Sequence, residues 1–382
     1  MKNALGGKAK GYIVNTILIA AILVAFGLYR DNMIAENSKV FRMKVVPCIW
    51  QCCYLVILAS SLNLVLGFLG QLSIAQCGFM GVGAYTAALV SLAFQRAGFF
   101  TEASGWKFGF VVLVSFLAAG GLSTLIGLLV GIPALRLKGD YLAIITLGFG
   151  MIIVNVINNL PFAGQNGLSE GTASSSLYKT GLGFSTKLQV TYVWIAILVT
   201  LFAMAMMFMF IRSKYGRAIR AIRDDEIAAD ASGINVSRYK VMTFVYSAFF
   251  AGIAGALYAC CNSALATSTF AFSNSSILNS TFVVVMVVLG GMGSLTGSFV
   301  AAIGMFFLNY FIKNGAWVKT LPAFLQNVFT YPMLVYSIIL VIVIIFRPRG
   351  IFGYYEFSPV NLARDIRGAL RARKSSKEAA EE

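Results

Sequence analysis

The chain has 382 residues, of which 59% are hydrophobic and only 12% charged. A soluble domain carries about 25% charged residues, so this balance describes a chain dissolved in a bilayer, not in water. The formal charge of +16 comes from 30 Lys and Arg against 14 Asp and Glu, but the cations flank apolar runs, as in cytoplasmic membrane loops, which argues against a nucleic-acid partner.

The charge-free intervals are 11–29, 45–95, 108–135, 141–169, 188–211, 241–312 and 320–346. The first follows Lys2, Lys8 and Lys10; it is too long for a signal h-region and no small-residue cleavage site follows it, so it reads as an uncleaved span. A crossing needs roughly 20 apolar residues, so 45–95 holds two crossings, 241–312 holds three, and every other interval holds one. The expectation is an all-α polytopic membrane protein of about ten transmembrane helices, with eight to eleven allowed. Its transmembrane domain covers 1–353, and 354–382 forms a basic cytoplasmic tail. Parity agrees: the basic segments at 212–240 and beyond Arg347 both face the cytoplasm, and so does the N-terminus. The loop 30–44, with Arg30, Lys39, Arg42 and Lys44, runs against this scheme because it falls outside.

Two stretches concentrate glycine, "LGFLGQLSIAQCGFMGVGAY" (66–85) and "LGGMGSLTGSFVAAIG" (289–304). Aligned from Leu66 and Leu289 they share Gly67/Gly290, Gly70/Gly293, Leu72/Leu295 and Gly81/Gly304. A parallel internal repeat would produce this, and so would chance among closely packed Gly-rich helices. In either case these segments are expected to be discontinuous, since glycine permits unwound backbone where it is buried or lines a cavity.

Polar uncharged residues enter the spans at Asn63, Gln71, Ser73, Gln76, Thr146, Asn155, Asn158, Asn159, Asn279 and Thr281. Each taken singly suits an interhelical hydrogen bond; as a set they suit a lined route for a neutral or zwitterionic solute. The glycines Gly67, Gly70, Gly290 and Gly293 belong to the same candidate pathway. Cys48, Cys52, Cys53, Cys77, Cys260 and Cys261 lie in apolar segments without metal-ligand spacing and read as buried thiols.

No Asp, Glu, Lys or Arg lies inside any interval, and the chain has no histidine. A proton-coupled carrier needs an intramembrane titratable group. Nothing matches the phosphate-binding G-x-x-x-x-G-K-[ST] loop either. The chain reads as a pathway and not an enzyme; if it pumps, energy comes from a partner. A passive channel or a sodium-coupled carrier with carbonyl and hydroxyl ligands remains the rival.

The charged island 212–240 reads as two short helices. Arg217, Arg220 and Arg223 gather on one flank of the first; Asp224, Asp225 and Glu226 open the second, and Ser232-Gly233 closes it. Ile227, Ala231 and Ile234 form a narrow apolar stripe at i, i+4 and i+7, suited to a groove on another protein.

The island "GRAIRAIRDDEIAADASGINVSRYK" resembles the cytoplasmic coupling loop of permease subunits in high-affinity branched-chain amino acid ABC transporters. The resemblance continues in "NLVLGFLGQLSIAQCGFMGVGAYTAAL" (63–89), "LRLKGDYLAIITLGFG" (135–150), "VYSAFFAGIAGALYA" (245–259), "VVLGGMGSLTGSFVAAIG" (287–304) and "FRPRGIFG" (346–353). Gln76-Cys77 departs from the family's usual pair. The resemblance implies a bacterial inner-membrane importer subunit for Leu, Ile, Val or related amino acids, or for another amino acid, urea or a short amide. It implies a second homologous permease, two cytoplasmic ATPase subunits carrying ATP and Mg, and an extracytoplasmic solute-binding protein. Carried over by position, Gly216, Arg220, Arg223, Glu226, Ala229 and Gly233 form the ATPase-coupling element, with Ile227 and Ala231 on its groove-facing stripe.

Overall fold

In lipid every backbone N–H and C=O must be satisfied inside its own segment, and long apolar runs meet that demand as helices. A computed structural model of the chain describes residues 46–97, 105–135, 140–160, 186–261, 265, 270, 280–314, 332–347 and 350–351. The first span expected at 11–29, the loop 30–44, Asn279 and the tail 354–382 lie outside the described residues.

The helices in chain order are α1 (Val46–Asn63), α2 (Gln76–Arg96), α3 (Gly105–Ala134), α4 (Asp140–Asn159), α5 (Thr186–Arg212), α6 (Lys214–Asp224), α7 (Glu226–Ala231), α8 (Val236–Cys261), α9 (Ser280–Gly290), α10 (Leu295–Asn314) and α11 (Pro332–Phe346). A π-helical turn, Leu64–Phe68, extends α1. Among the described residues there is no strand, and 7 helical segments are long and apolar enough to cross a membrane. Shorter apolar helices lie at Ser280–Gly290 and Leu334–Phe346. The chain is an all-α polytopic membrane protein.

Within the interval 241–312 the described helices are α8, α9 and α10, and the described part of the middle one, α9, covers 11 residues. Its end is set by backbone: Gly291 and Gly293 take φ of 113° and 95°, where a side chain is strained, and the chain turns at once into α10.

The most buried spans are α1 with its π turn and α8, each 83% buried, whereas those of α4 and α5 are 28% buried. α8 packs against α1, α2 and α3. It comes close because small residues let it: a Cβ on Gly252 would lie 2.6 Å from the Ala119 carbonyl oxygen, and one on Gly255 would lie 2.7 Å from the Ala84 nitrogen. Such contacts replace the hydrophobic drive that lipid cannot supply between helices. Leu113, Leu117, Leu125 and Leu129 of α3 are exposed, a face at home in lipid tails.

Candidate functional site

The island folds by local rules. Ser213 caps α6, its Oγ accepting from the Tyr215 and Gly216 amides at 3.2 and 3.5 Å. Gly216 is pressed against the Ile211 carbonyl, leaving no room for a Cβ. Arg220 folds back, donating from Nη2 to the same Ile211 carbonyl at 3.0 Å and occupying an acceptor at the end of α5. Ile219 and Ile222 are buried beneath. Asp225, in extended conformation, separates α6 from α7 and caps α7 by accepting from the Ile227 and Ala228 amides at 2.9 and 3.0 Å. Gly233, at φ 81°, ends it, with the Ile234 amide donating to the Ala229 carbonyl at 3.1 Å.

α7 is held from below and bare above. Ala229 is buried, while Ile227 is 80% exposed. Ala231 is exposed and Ile234 half-buried. An open hollow of about 520 Å³ beside them is lined by Glu226, Ile227, Asp230, Ile234 and Val236. Glu226 Oε2 pairs with Lys240 Nζ at 2.8 Å, tying α7 to the first turns of α8; the Lys240 side chain is only 4% exposed. Sequence reasoning missed Lys240. Its signal was its position as the last charge before the interval 241–312.

The island also meets the glycine turns. At the π turn the Leu69 amide donates to the Leu64 carbonyl at 3.2 Å and the Gln71 amide to the Val65 carbonyl at 3.0 Å, so the ordinary helical ladder is interrupted. The Gly67 carbonyl accepts from Arg223 Nη1 at 2.7 Å. Gly70, at φ 76°, clears the way: a Cβ there would lie 2.9 Å from Arg223 Cγ. On its other side Gly67 abuts Asn63 Oδ1 and the Gly293 nitrogen. Asn63 is fully buried and clamps the α9–α10 turn, with Nδ2 donating to the Ser294 carbonyl and Ser298 Oγ at 2.8 Å each and Oδ1 accepting from the Gly293 amide at 3.0 Å. Gly290 packs closely on Gly297. Beyond α11, Gly350 packs on Gly291, and the Ile351 amide donates to the Leu289 carbonyl at 3.0 Å, which places Gly350 and Ile351 on the same turn. The aligned glycines Gly70 and Gly293 share left-handed backbone, each at the bend between two helices.

Other candidates separate into two environments. Gln76 is buried, donating from Nε2 to Ser61 Oγ at 2.6 Å and Ser247 Oγ at 3.2 Å, which joins α1, α2 and α8. Thr146 is buried; its Oγ1 donates to the Ala143 carbonyl at 3.0 Å and accepts from the Ile74 amide at 3.2 Å. Among the described residues, Gln71 Oε1 and Ser73 Oγ are buried without a hydrogen-bond partner. Asn155 is exposed and Asn158 half-buried on α4; Thr281 is half-buried on α9. Asn63 and Gln76 are therefore committed to helix contacts, whereas Asn155 is turned outward. Among the described residues no group of His, Cys, Asp and Glu could hold a metal ion.

A profile of the branched-chain amino acid transport system permease component matches residues 46–346. The chain is similar to the high-affinity branched-chain amino acid transport system permease protein LivM of Escherichia coli (strain K12), 32% identical over 316 residues that cover 78% of this chain and 67% of that protein. It is 25% identical to LivH of the same organism, over 80% of this chain and 92% of that one. It is 26% identical to the guanosine ABC transporter permease protein NupQ of Bacillus subtilis (strain 168), over 50% of this chain and 59% of that one. No solved structure matches. The profile runs from α1 to the end of α11 and so takes in the π turn, the island and both glycine bends; the chain belongs to the branched-chain amino acid transport system permease family.

Proposed function

We propose that this chain forms one half of the translocation pathway of a bacterial inner-membrane ABC importer for Leu, Ile, Val or related hydrophobic amino acids. The other half is a second, homologous permease; the similarity to both LivM and LivH supports such a pairing. Two cytoplasmic ATPases would supply ATP and Mg, and an extracytoplasmic solute-binding protein would deliver cargo. Both termini would face the cytoplasm.

The observation that carries this reading is the island. A capped helix buries one small side chain and presents Ile227, 80% exposed, above a rigid base, which is the form of a knob meant for a groove. The test is uptake in proteoliposomes. Radiolabelled leucine should accumulate only when the ATPases, ATP, the second permease and the binding protein are all present. Accumulation by this chain alone would give the protein to the channel or ion-coupled class. Similarity to NupQ makes guanosine a second cargo to compete against leucine.

The pathway wall in this reading includes the outward face of α4. An asparagine there is costly against hydrocarbon and sits better against water or a partner helix. Asn155→Leu should reduce uptake about tenfold, the scale of one or two lost polar contacts, while membrane abundance stays near wild type. Quantitative blotting beside the uptake assay separates the two, and an equal fall in both would return Asn155 to packing.

A further inference from the structure

We infer that Arg223 is the residue that carries movement of the island into the membrane, by holding the π turn of α1 through the Gly67 carbonyl. The inference rests on the importer reading and adds the internal linkage. Among the described residues, side chains of the island make polar attachments to more than one span. Arg220 to the Ile211 carbonyl ties it to α5, and Glu226 to Lys240 ties it to α8. Those two helices flank the island in sequence, so covalent connection alone would make them follow it. Arg223 differs, because it reaches a carbonyl 156 residues away on a helix to which the island has no nearby chain connection.

What it grips is suited to moving. A π turn interrupts the i→i−4 ladder and leaves carbonyls whose partners can be exchanged at small cost. Gly67 is placed between two neighbours: the guanidinium on one side, and Asn63 with the Gly293 amide on the other. Displacing the turn therefore presses on the α9–α10 bend, which Asn63 joins to α1 through three hydrogen bonds. The two glycine bends, distant in sequence, become one mechanical unit with a handle in the cytoplasm. Gly70 belongs to it because its bare Cα leaves a channel for the Arg223 stem. A planar guanidinium also suits the task, offering several donors, so a second contact survives while the first shifts.

Arg223 touches no cargo and no nucleotide here; it is a positioning residue. The experiment uses the complete importer in proteoliposomes, with leucine uptake and ATP hydrolysis measured on the same preparation. Arg223→Gln should lower uptake per ATP hydrolysed roughly tenfold, the scale of one charge-assisted hydrogen bond, with ATPase subunits co-purifying as in wild type. Arg223→Lys, which keeps a charge and a donor on a shorter head, should recover part of that ratio. Amide exchange at residues 64–71 should quicken in Arg223→Gln and recover in Arg223→Lys. An unchanged uptake-to-hydrolysis ratio in Arg223→Gln would overturn the linkage, and so would a fall in uptake that only tracks lost protein. ATPase subunits that fail to bind the wild-type chain would instead sink the importer reading itself.

Discussion

Gly67→Ala should remove most of the protein from the membrane fraction, and what remains should unfold at lower temperature. The added methyl meets Asn63 Oδ1 on one side and the Gly293 nitrogen on the other, and neither is the free end of a flexible chain. Asn63 would have to swing out of a fully buried site. That strands the Gly293 amide and takes one partner each from the Ser294 carbonyl and Ser298 Oγ, which keep their own hydrogen bond at 3.3 Å. An unsatisfied buried group costs about 1–3 kcal/mol, a sizeable share of a typical stability of about 5–15 kcal/mol even before the steric strain is added. Gly121→Ala is the matched control. It makes the same chemical change in a helix with nothing within 4 Å of the new methyl, so abundance and melting should stay at wild type. Western blots of membrane fractions and thermal melts in detergent read both variants. Equal behaviour of the two would mean that the Asn63 clamp contributes little.

The contrast between those glycines shows what sequence can and cannot reveal. Both look like small residues in membrane helices, and only the neighbour decides which is indispensable. The same holds for the aligned pair Gly81 and Gly304: a Cβ on the first would lie 3.2 Å from the Phe270 ring, whereas the second has open space. Local signals were legible. Asp225 and Gly233 mark the start and end of α7 because capping and left-handed backbone are properties of a few adjacent residues. The spans were legible because lipid leaves long apolar runs one solution. Partnerships were not. Asn63 and Asn155 are indistinguishable as letters, yet one joins two helices by three hydrogen bonds and the other is exposed on α4. The end of α9 at Gly290 was signalled by glycines alone, because no charge marks where helices end within 241–312.

The pairing of Glu226 with Lys240 makes the island's charge an asymmetric matter. The Lys240 side chain is 4% exposed and that of Glu226 is 39% exposed, so the two respond differently to losing a partner. Lys240→Met leaves a carboxylate that can turn to water, and the methionine fills the buried space; the cost should be below about 1 kcal/mol. Glu226→Gln leaves an ammonium almost out of reach of water, a more expensive fault of about 1–3 kcal/mol. Glu226→Lys sets a second ammonium against the first and should be the worst, releasing α7 from α8 and tilting Ile227 off its base. Uptake should therefore fall in the order Lys240→Met, Glu226→Gln, Glu226→Lys, with the last below about one hundredth of wild type, as about 3 kcal/mol implies. If the island couples the chain to ATPase subunits as proposed, ATP hydrolysis by the complex should fall less than uptake, because the damage would lie in the coupling element and not in the nucleotide site. The exchange Glu226→Lys with Lys240→Glu restores opposite charges and should regain part of the uptake lost by Glu226→Lys alone. If the double variant is no better than the single one, the ion pair does not hold α7 in place, and Glu226 must act on a partner subunit directly.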